Sequence, residues 1–398
     1  MKKIILLILI TFDVNFAQAQ WQRNNLDTIG ANCIIVNDST VFVGTQGGVY
    51  ISIDSGLTWA LSNNGFPQNA IVSSLAIKGA NIFAGTYSNG VFVSINHGGF
   101  WTQANIGLTD TIINTLVVSG TNIFAGTHGG IFLSTNNGGL WNAVNNGIAN
   151  SQIFSLATDG VRFFAGGDSG AVFLSTNNGA LWTSIDTGLP SSTVLSLTIS
   201  GTNIFAGTFG GGVFLSTNDG GLWNAVNIGL TNTYVHTLAI SGTNIFAGTH
   251  KGVFLSANYG NLWTEINTGW TTTFDTIVMS IAMDGSNIFA ALGLPIPFDQ
   301  LWSRPLSEVI TGIEENNHNN SFTIYPNPSN GKYFLKLPEG IKNSEINIFV
   351  YNLLGELIMT TKTQISLSQV DLRNQPKGIY LLRMRQEGKI YNGKLVIE

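Results

Sequence analysis

The chain has 398 residues, enough for two or three domains, and its charged residues make up only 10% against about 25% in an average soluble protein. With 47 Gly and 24 Phe, this composition excludes a coiled coil or a charged disordered chain and suits an all-β protein rich in tight turns. The net charge of −5 argues against sequence-independent nucleic-acid binding, and the single cysteine, Cys33, excludes an internal disulfide framework or a thiolate metal cluster.

Residues 1–19 read as a signal peptide. Lys2 and Lys3 form a positive end, Ile4 to Phe12 an apolar run, and Ala17-Gln18-Ala19 a small-x-small cleavage site, so the mature chain is expected to begin at Gln20. The run is too short to span about 30 Å of hydrocarbon, and Asp13 interrupts it. No later stretch is long and apolar enough to form a transmembrane segment, and no cysteine follows the cleavage site to carry a lipid. Beyond the signal, charge divides the chain. Residues 20–311 carry five Lys and Arg against thirteen Asp and Glu, residues 312–320 form a polar linker, and residues 321–398 carry ten against six.

Residues 20–311 repeat about every 41 residues. The phrase Asn-Ile-Phe-Ala-Gly-Thr recurs, whole or altered, around Phe42, Phe83, Phe124, Phe164, Phe205, Phe246 and Phe289, and a tryptophan recurs at Trp59, Trp101, Trp141, Trp182, Trp223 and Trp263. In the second unit Val72–Ile77, Ile82–Thr86, Val91–Ser94 and the segment starting at Trp101 are short runs separated by Gly/Asn turns; they are strands A to D. Four short strands at this period predict propeller blades, whose apolar faces are buried by their neighbours. The seventh unit lacks a strand D: Trp302 falls where strand C belongs. The N-terminal Trp21-Gln22-Arg23-Asn24-Asn25 matches Trp101-Thr102-Gln103-Ala104-Asn105 and is expected to supply the missing strand, giving a seven-bladed β-propeller closed by an N-terminal strand.

The turn before strand D carries the most specific motif. Ser52-Ile53-Asp54-Ser55-Gly56-Leu57-Thr58-Trp59 resembles the Asp box of the bacterial neuraminidase repeat, found in sialidases and other propellers. Five further copies place Asn96, Asn136, Asn177, Asn218 and Asn258 at the Asp position. Either side chain offers an oxygen to turn N–H groups, so this is read as a structural turn. The Asn or Asp four residues after each Trp (Asn25, Asn63, Asn105, Asn145, Asp186, Asn227, Asn267) is likewise read as turn chemistry.

Function is expected where the repeat varies. The residue after strand B reads Gln46, Tyr87, His128, Asp168, Phe209 and His250, while its neighbours hardly change. Aromatic and polar groups on loops of a rigid scaffold suit an extracellular glycan or protein ligand. His128 and His250 belong to units three apart, which disfavours a metal, and no cofactor motif appears. His97 and His318 read as solvated, His236 as a packed or channel-lining residue and Cys33 as a small buried one. A glycosidase needs two carboxylates about 5 to 10 Å apart; only Asp110, Asp168, Asp275 and Asp299 fall where they reach the variable face, and no catalytic arginine cluster accompanies them. The expectation is a non-catalytic binding or adhesion module, with a glycoside hydrolase or lyase as the alternative.

Residues 321–398 resemble the type A sorting domain of the type IX secretion system of Bacteroidota. The resemblance rests on Tyr325-Pro326-Asn327-Pro328-Ser329-Asn330-Gly331, on Val350-Tyr351-Asn352-Leu353-Leu354-Gly355, on Leu372 through Gly378-Ile379-Tyr380 and on the terminal Lys394–Glu398. Their strand-like runs also read as a small Ig-like β-sandwich. The resemblance implies export across the outer membrane, with the secretion machinery and a sortase-like peptidase as partners of this domain and a secreted or cell-surface cargo.

Overall fold

The computed structural model describes residues 20–24, 26, 30–148, 152–270, 276–293, 301–310, 323–336, 346–352, 357–363, 367–386 and 389–398. The signal segment 1–19 and the linker 312–320 lie outside them. The chain divides into two units, Met1–Val309 and Ile310–Glu398.

The first unit contains seven four-stranded antiparallel sheets among the described residues. Their A strands are Ala31–Asn37, Val72–Lys78, Ile113–Ser119, Ile153–Thr158, Val194–Ser200, Val235–Ser241 and Val278–Met283. Each touches the A strand of the next sheet, and the seventh touches the first, so the sheets follow one another in a cycle. Six sheets take their strands in chain order. In the seventh, Gln22–Arg23 pairs with Leu301–Pro305, Gln22 opposite Ser303 and Arg23 opposite Trp302. Trp302 faces Ala290 as Phe92 faces Ala84, so it occupies strand C, and Trp21 immediately precedes the fourth strand.

Strand B is buried almost throughout, because a neighbouring sheet covers each of its faces. Its glycine is there for space. Side chains at Gly44, Gly85, Gly126, Gly166, Gly207 and Gly248 would collide with the first residue of the next A strand: Val72, Ile113, Ile153, Val194, Val235 and Val278. At the seam the pair becomes Ala291 and Ala31, both fully buried in one cluster. Indole groups join the sheets at the outer edge. Trp101, Trp141, Trp182, Trp223 and Trp263 each donate Nε1–H to a carbonyl of the preceding sheet's strand D region: Ser62, Ala104, Val144, Ile185 and Val226, at 2.6–2.9 Å. Trp21 does the same to Ile266 at 2.6 Å. Trp59 instead bonds Gly56 of its own turn at 3.1 Å.

The Asp-type turn works as its chemistry suggests. Asp54 Oδ1 accepts from Ser52 Oγ (2.7 Å) and Thr58 N–H (2.8 Å); Asn96 Oδ1 accepts from Ser94 Oγ and Phe100 N–H, both at 2.9 Å. The turn holds two successive residues at positive φ. Gly56 and Gly98, both at 88°, follow Ser55 and His97, both at 55°. The hydroxyl and N–H groups of Thr58, with Ser52, hold the Asp54 carboxyl down at about 2.

In the second unit, Thr323–Tyr325, Lys332–Lys336 and Leu367–Asp371 form one sheet. Leu357–Thr363, Ile346–Tyr351, Gly378–Gln386 and Lys389–Ile397 form another. Tyr333, Leu335 and Val370 from the first share a core with Ile348, Val350, Leu382 and Leu395 from the second.

Candidate functional site

The six variable positions all open the loop between strands B and C, at one end of the first unit. Five are pinned by their own backbone: the N–H of Gln46, Tyr87, Asp168, Phe209 and His250 donates to Gly30, Ile71, Gln152, Thr193 and Tyr234, just ahead of strand A, at 2.9–3.3 Å. The loop behind them is clamped twice. A threonine hydroxyl at the end of strand B (Thr45, Thr86, Thr127, Thr208, Thr249) donates to the glycine carbonyl across the turn at 2.7–3.1 Å.

The second clamp is the Asn of strand D. Oδ1 of Asn63, Asn105, Asn145, Asn227 and Asn267 accepts an N–H from strand C at 2.7–3.0 Å. Their Nδ2 groups donate to a carbonyl of the loop at 2.5–3.4 Å. This position therefore serves the variable loop and not only the end of strand D. Asn25 lies outside the described residues. The fourth sheet has neither clamp: Gly167 replaces the threonine and Asp186 the asparagine, and Asp168–Gly170 winds into a 3-10 turn with Ser169 at φ 55°.

A second set of variable residues joins this face, and the period does not reveal it. Every A strand carries a β-bulge at its second residue, which the ladder skips. Those residues are Asn32, Ser73, Asn114, Phe154, Leu195, His236 and Met279. A bulge redirects a side chain and so multiplies what one end of a sheet can present. Three bulge residues are polar ties to the next sheet: Asn32 Nδ2 donates to the Val72 carbonyl at 3.0 Å, Ser73 Oγ to the Ile113 carbonyl and Asn114 Nδ2 to the Ile153 carbonyl at 2.9 Å. Two others complete aromatic groups. Tyr87, His128 and Phe154 form one arc, with successive centroids 6.3 Å apart. Phe209, Tyr234, His236 and His250 form the other, all within 6.0 Å of Phe209.

Tyr87, Phe209 and Tyr234 are 51%, 46% and 41% exposed, whereas Gln46, His128, Asp168 and His250 are half-buried. Burial, and then the neighbouring His250 ring, lower the His236 pKa to about 4, and its Nε2 is buried without a protein partner. Burial pushes the Cys33 thiol up to about 12, so it stays a thiol.

Of the carboxylates singled out from the sequence, Asp110 is committed to backbone: it accepts from Ile112 N–H at 2.9 Å and Gly129 N–H at 2.5 Å. Asp168 opens the 3-10 turn. Asp275 and Asp299 lie outside the described residues. Among the described residues no three His, Cys, Asp or Glu side chains converge as a metal site, and no helix is long and apolar enough to cross a membrane.

In the second unit the Tyr325–Gly331 segment is knitted to the last strand. Asn327 Oδ1 accepts from Val396 N–H at 2.9 Å, Ser329 N–H donates to Val396 at 2.9 Å, and Glu398 N–H donates to Ser329 at 3.0 Å. Pro326 and Pro328 flank this contact, both exposed. Gly331 sits at φ 96° with its carbonyl accepting from Leu372 N–H, and a side chain there would meet the Arg373 backbone. Gly378 begins the strand that carries Tyr380, whose hydroxyl donates to Pro376 at 2.8 Å. Gly355 lies outside the described residues.

Residues 323–398 match the family described as "Secretion system C-terminal sorting domain". The chain is exported by type IX secretion to the cell surface or the extracellular space. This sorting domain therefore engages the secretion machinery. A comparison with curated proteins gave no match.

Among solved structures the chain is similar to the extracellular domain of the one component system BT4673 from B. thetaiotaomicron, at 18% identity and a TM-score of 0.59. That alignment covers 94% of this chain and 52% of the other, so the chain spans about half the length of that protein. It is also similar to YCF48 bound to D1 peptide (13% identity, TM-score 0.59, 72% and 96% covered). A third is the WD40 repeats of RRP9 (12%, TM-score 0.57, 72% and 97% covered). WD40 repeats build four-stranded propeller blades, and the repeated four-stranded sheets of the first unit resemble propellers.

Proposed function

We propose that residues 20–311 form a seven-bladed, Asp-box propeller that acts as a non-catalytic recognition or adhesion module for an extracellular glycan or protein. On this reading residues 1–19 are a signal peptide, and residues 321–398 are an Ig-like sandwich removed by a sortase-like peptidase after export. The observation that carries it is the variable face. Exposed Tyr87, Phe209 and Tyr234 stand on loops that are hydrogen-bonded to neighbouring strands, and pre-set aromatic groups bind at low entropic cost. The peptide held by YCF48, a propeller-like neighbour, is a precedent for ligand binding on such a scaffold. The test is a glycan and matrix-protein array probed with the full chain and with Tyr87→Ala plus Phe209→Ala. Loss of binding in the double variant supports the reading; unchanged binding removes this face from it. Turnover of a polysaccharide that vanishes in Asp168→Asn would replace it with a hydrolase or lyase.

A further inference from the structure

Four rings of the fifth and sixth sheets form a self-supporting block. Tyr234, His250 and His236 lie in one column: successive centroids are 4.9 and 4.7 Å apart, and the rings are inclined by only 11° and 15°. Phe209 stands across this column, at 74° to Tyr234 and 73° to each histidine, with centroids 5.0, 5.8 and 6.0 Å from Tyr234, His250 and His236.

The backbone holds the rings in place. Phe209 and Tyr234 form an antiparallel bridge between the two sheets, and the N–H groups of Gly210 and Gly212 both donate to Thr233, at 3.1 and 2.9 Å. His250 N–H donates to Tyr234 at 3.2 Å. The block therefore offers solvent two partly exposed rings inclined at 74°, Phe209 at 46% and Tyr234 at 41% exposure, whose ordering cost is met on folding.

A pyranose ring matches such a corner. Its C–H face is apolar and its rim carries hydroxyls, while the Tyr234 hydroxyl and the His250 ring can each give or accept a hydrogen bond. The column offers little charge: the burial that lowers the His236 pKa to about 4 keeps that ring neutral above mildly acidic pH. Lys251, which follows His250 in the chain, is exposed to solvent. Residues 20–311 carry five Lys and Arg against thirteen Asp and Glu, so a polyanion would be repelled on approach.

We propose that the Phe209–Tyr234–His236–His250 block is a binding subsite for an uncharged pyranose residue of an extracellular glycan, with Phe209 as the stacking platform. This rests on the recognition reading above and narrows it to one ligand class. The experiment is affinity electrophoresis of the full chain in gels of neutral polysaccharides (xylan, mannan, laminarin, soluble starch) and anionic ones (alginate, polygalacturonate), together with a peptide array.

Retardation by a neutral polymer is expected. Phe209→Ala should weaken it about tenfold, the factor that about 1.4 kcal/mol of lost stacking represents. Phe209→Trp should retain it, and melting curves equal to the wild type's show that each variant is folded. If Phe209→Ala is retarded as the wild type is, the subsite is overturned; if Tyr87→Ala then loses retardation, recognition by the face survives without it. Binding to peptides or to anionic polymers alone overturns the pyranose assignment and leaves the recognition reading standing. No binding to any of these probes overturns both.

Discussion

His236 makes the stability of the first unit depend on pH in a way that one substitution can isolate. In the folded chain its pKa is about 4, against 6.5 for a free imidazole, chiefly because burial beside Phe209 and His250 disfavours the cation. The folded-state value is the lower one, so the unfolded chain binds more protons between these two values. Stability is therefore complete above pH 6.5 and is lost as pH falls towards 4. The gap of about 2.5 units, at about 1.4 kcal/mol per unit, corresponds to roughly 3 kcal/mol. Urea unfolding of the full chain and of His236→Phe, from pH 7.5 to pH 4, measures it. Phenylalanine keeps an aromatic ring against His250 but does not titrate, and carboxylates common to both proteins cancel in the difference. The wild type is expected to lose about 3 kcal/mol relative to the variant across this range. Two stability curves that stay parallel to within about 0.5 kcal/mol, the usual scatter of a neutral substitution, would refute the reasoning.

The strand at the seam and the Asp-type turns give further tests. Trp21→Ala removes a buried indole, its 2.6 Å bond to Ile266 and its contact with Trp270 at 5.2 Å, and it should cost about 3–5 kcal/mol in urea unfolding; a loss below about 1 kcal/mol would mean that this strand does not hold the seventh sheet. In the second turn, Asn96→Asp keeps the oxygen that accepts from Ser94 and Phe100 and should leave the melting temperature unchanged, whereas Asn96→Ala should cost about 1 kcal/mol.

The repeat made the strand order legible, and with it the seam. Trp302 could be placed on strand C by counting from Phe289, and the pairing of Arg23 with Trp302 follows from that placement. The positions that open the B–C loop were legible for the opposite reason, since they vary while their neighbours repeat. What escaped was the company they keep. Phe154 stands beside His128, and His236 beside Phe209 and His250, because each A strand bulges at its second residue; Tyr234 joins them from just ahead of strand A through its bridge to Phe209. A bulge breaks the two-residue alternation on which strand faces are read. The signal was present nonetheless: the bulged position reads Asn, Ser, Asn, Phe, Leu, His and Met between a constantly apolar residue and one that is always Cys, Ser or Thr. The clamp by Asn63 and its counterparts was also hidden, because its partners lie on the neighbouring strand and in the loop before it, 14 to 16 residues back.

The alanine pair at the seam has a consequence for how a chain of near-identical modules counts itself. Everywhere else a missing side chain on one sheet receives a branched one from the next, so any interior module fits any other. Ala291 would crowd the valine of an interior module, and Ala31 would leave a void against its glycine. The first and last modules thus recognise each other by size, and a ring that tried to shut one module early would meet the wrong partner at its join.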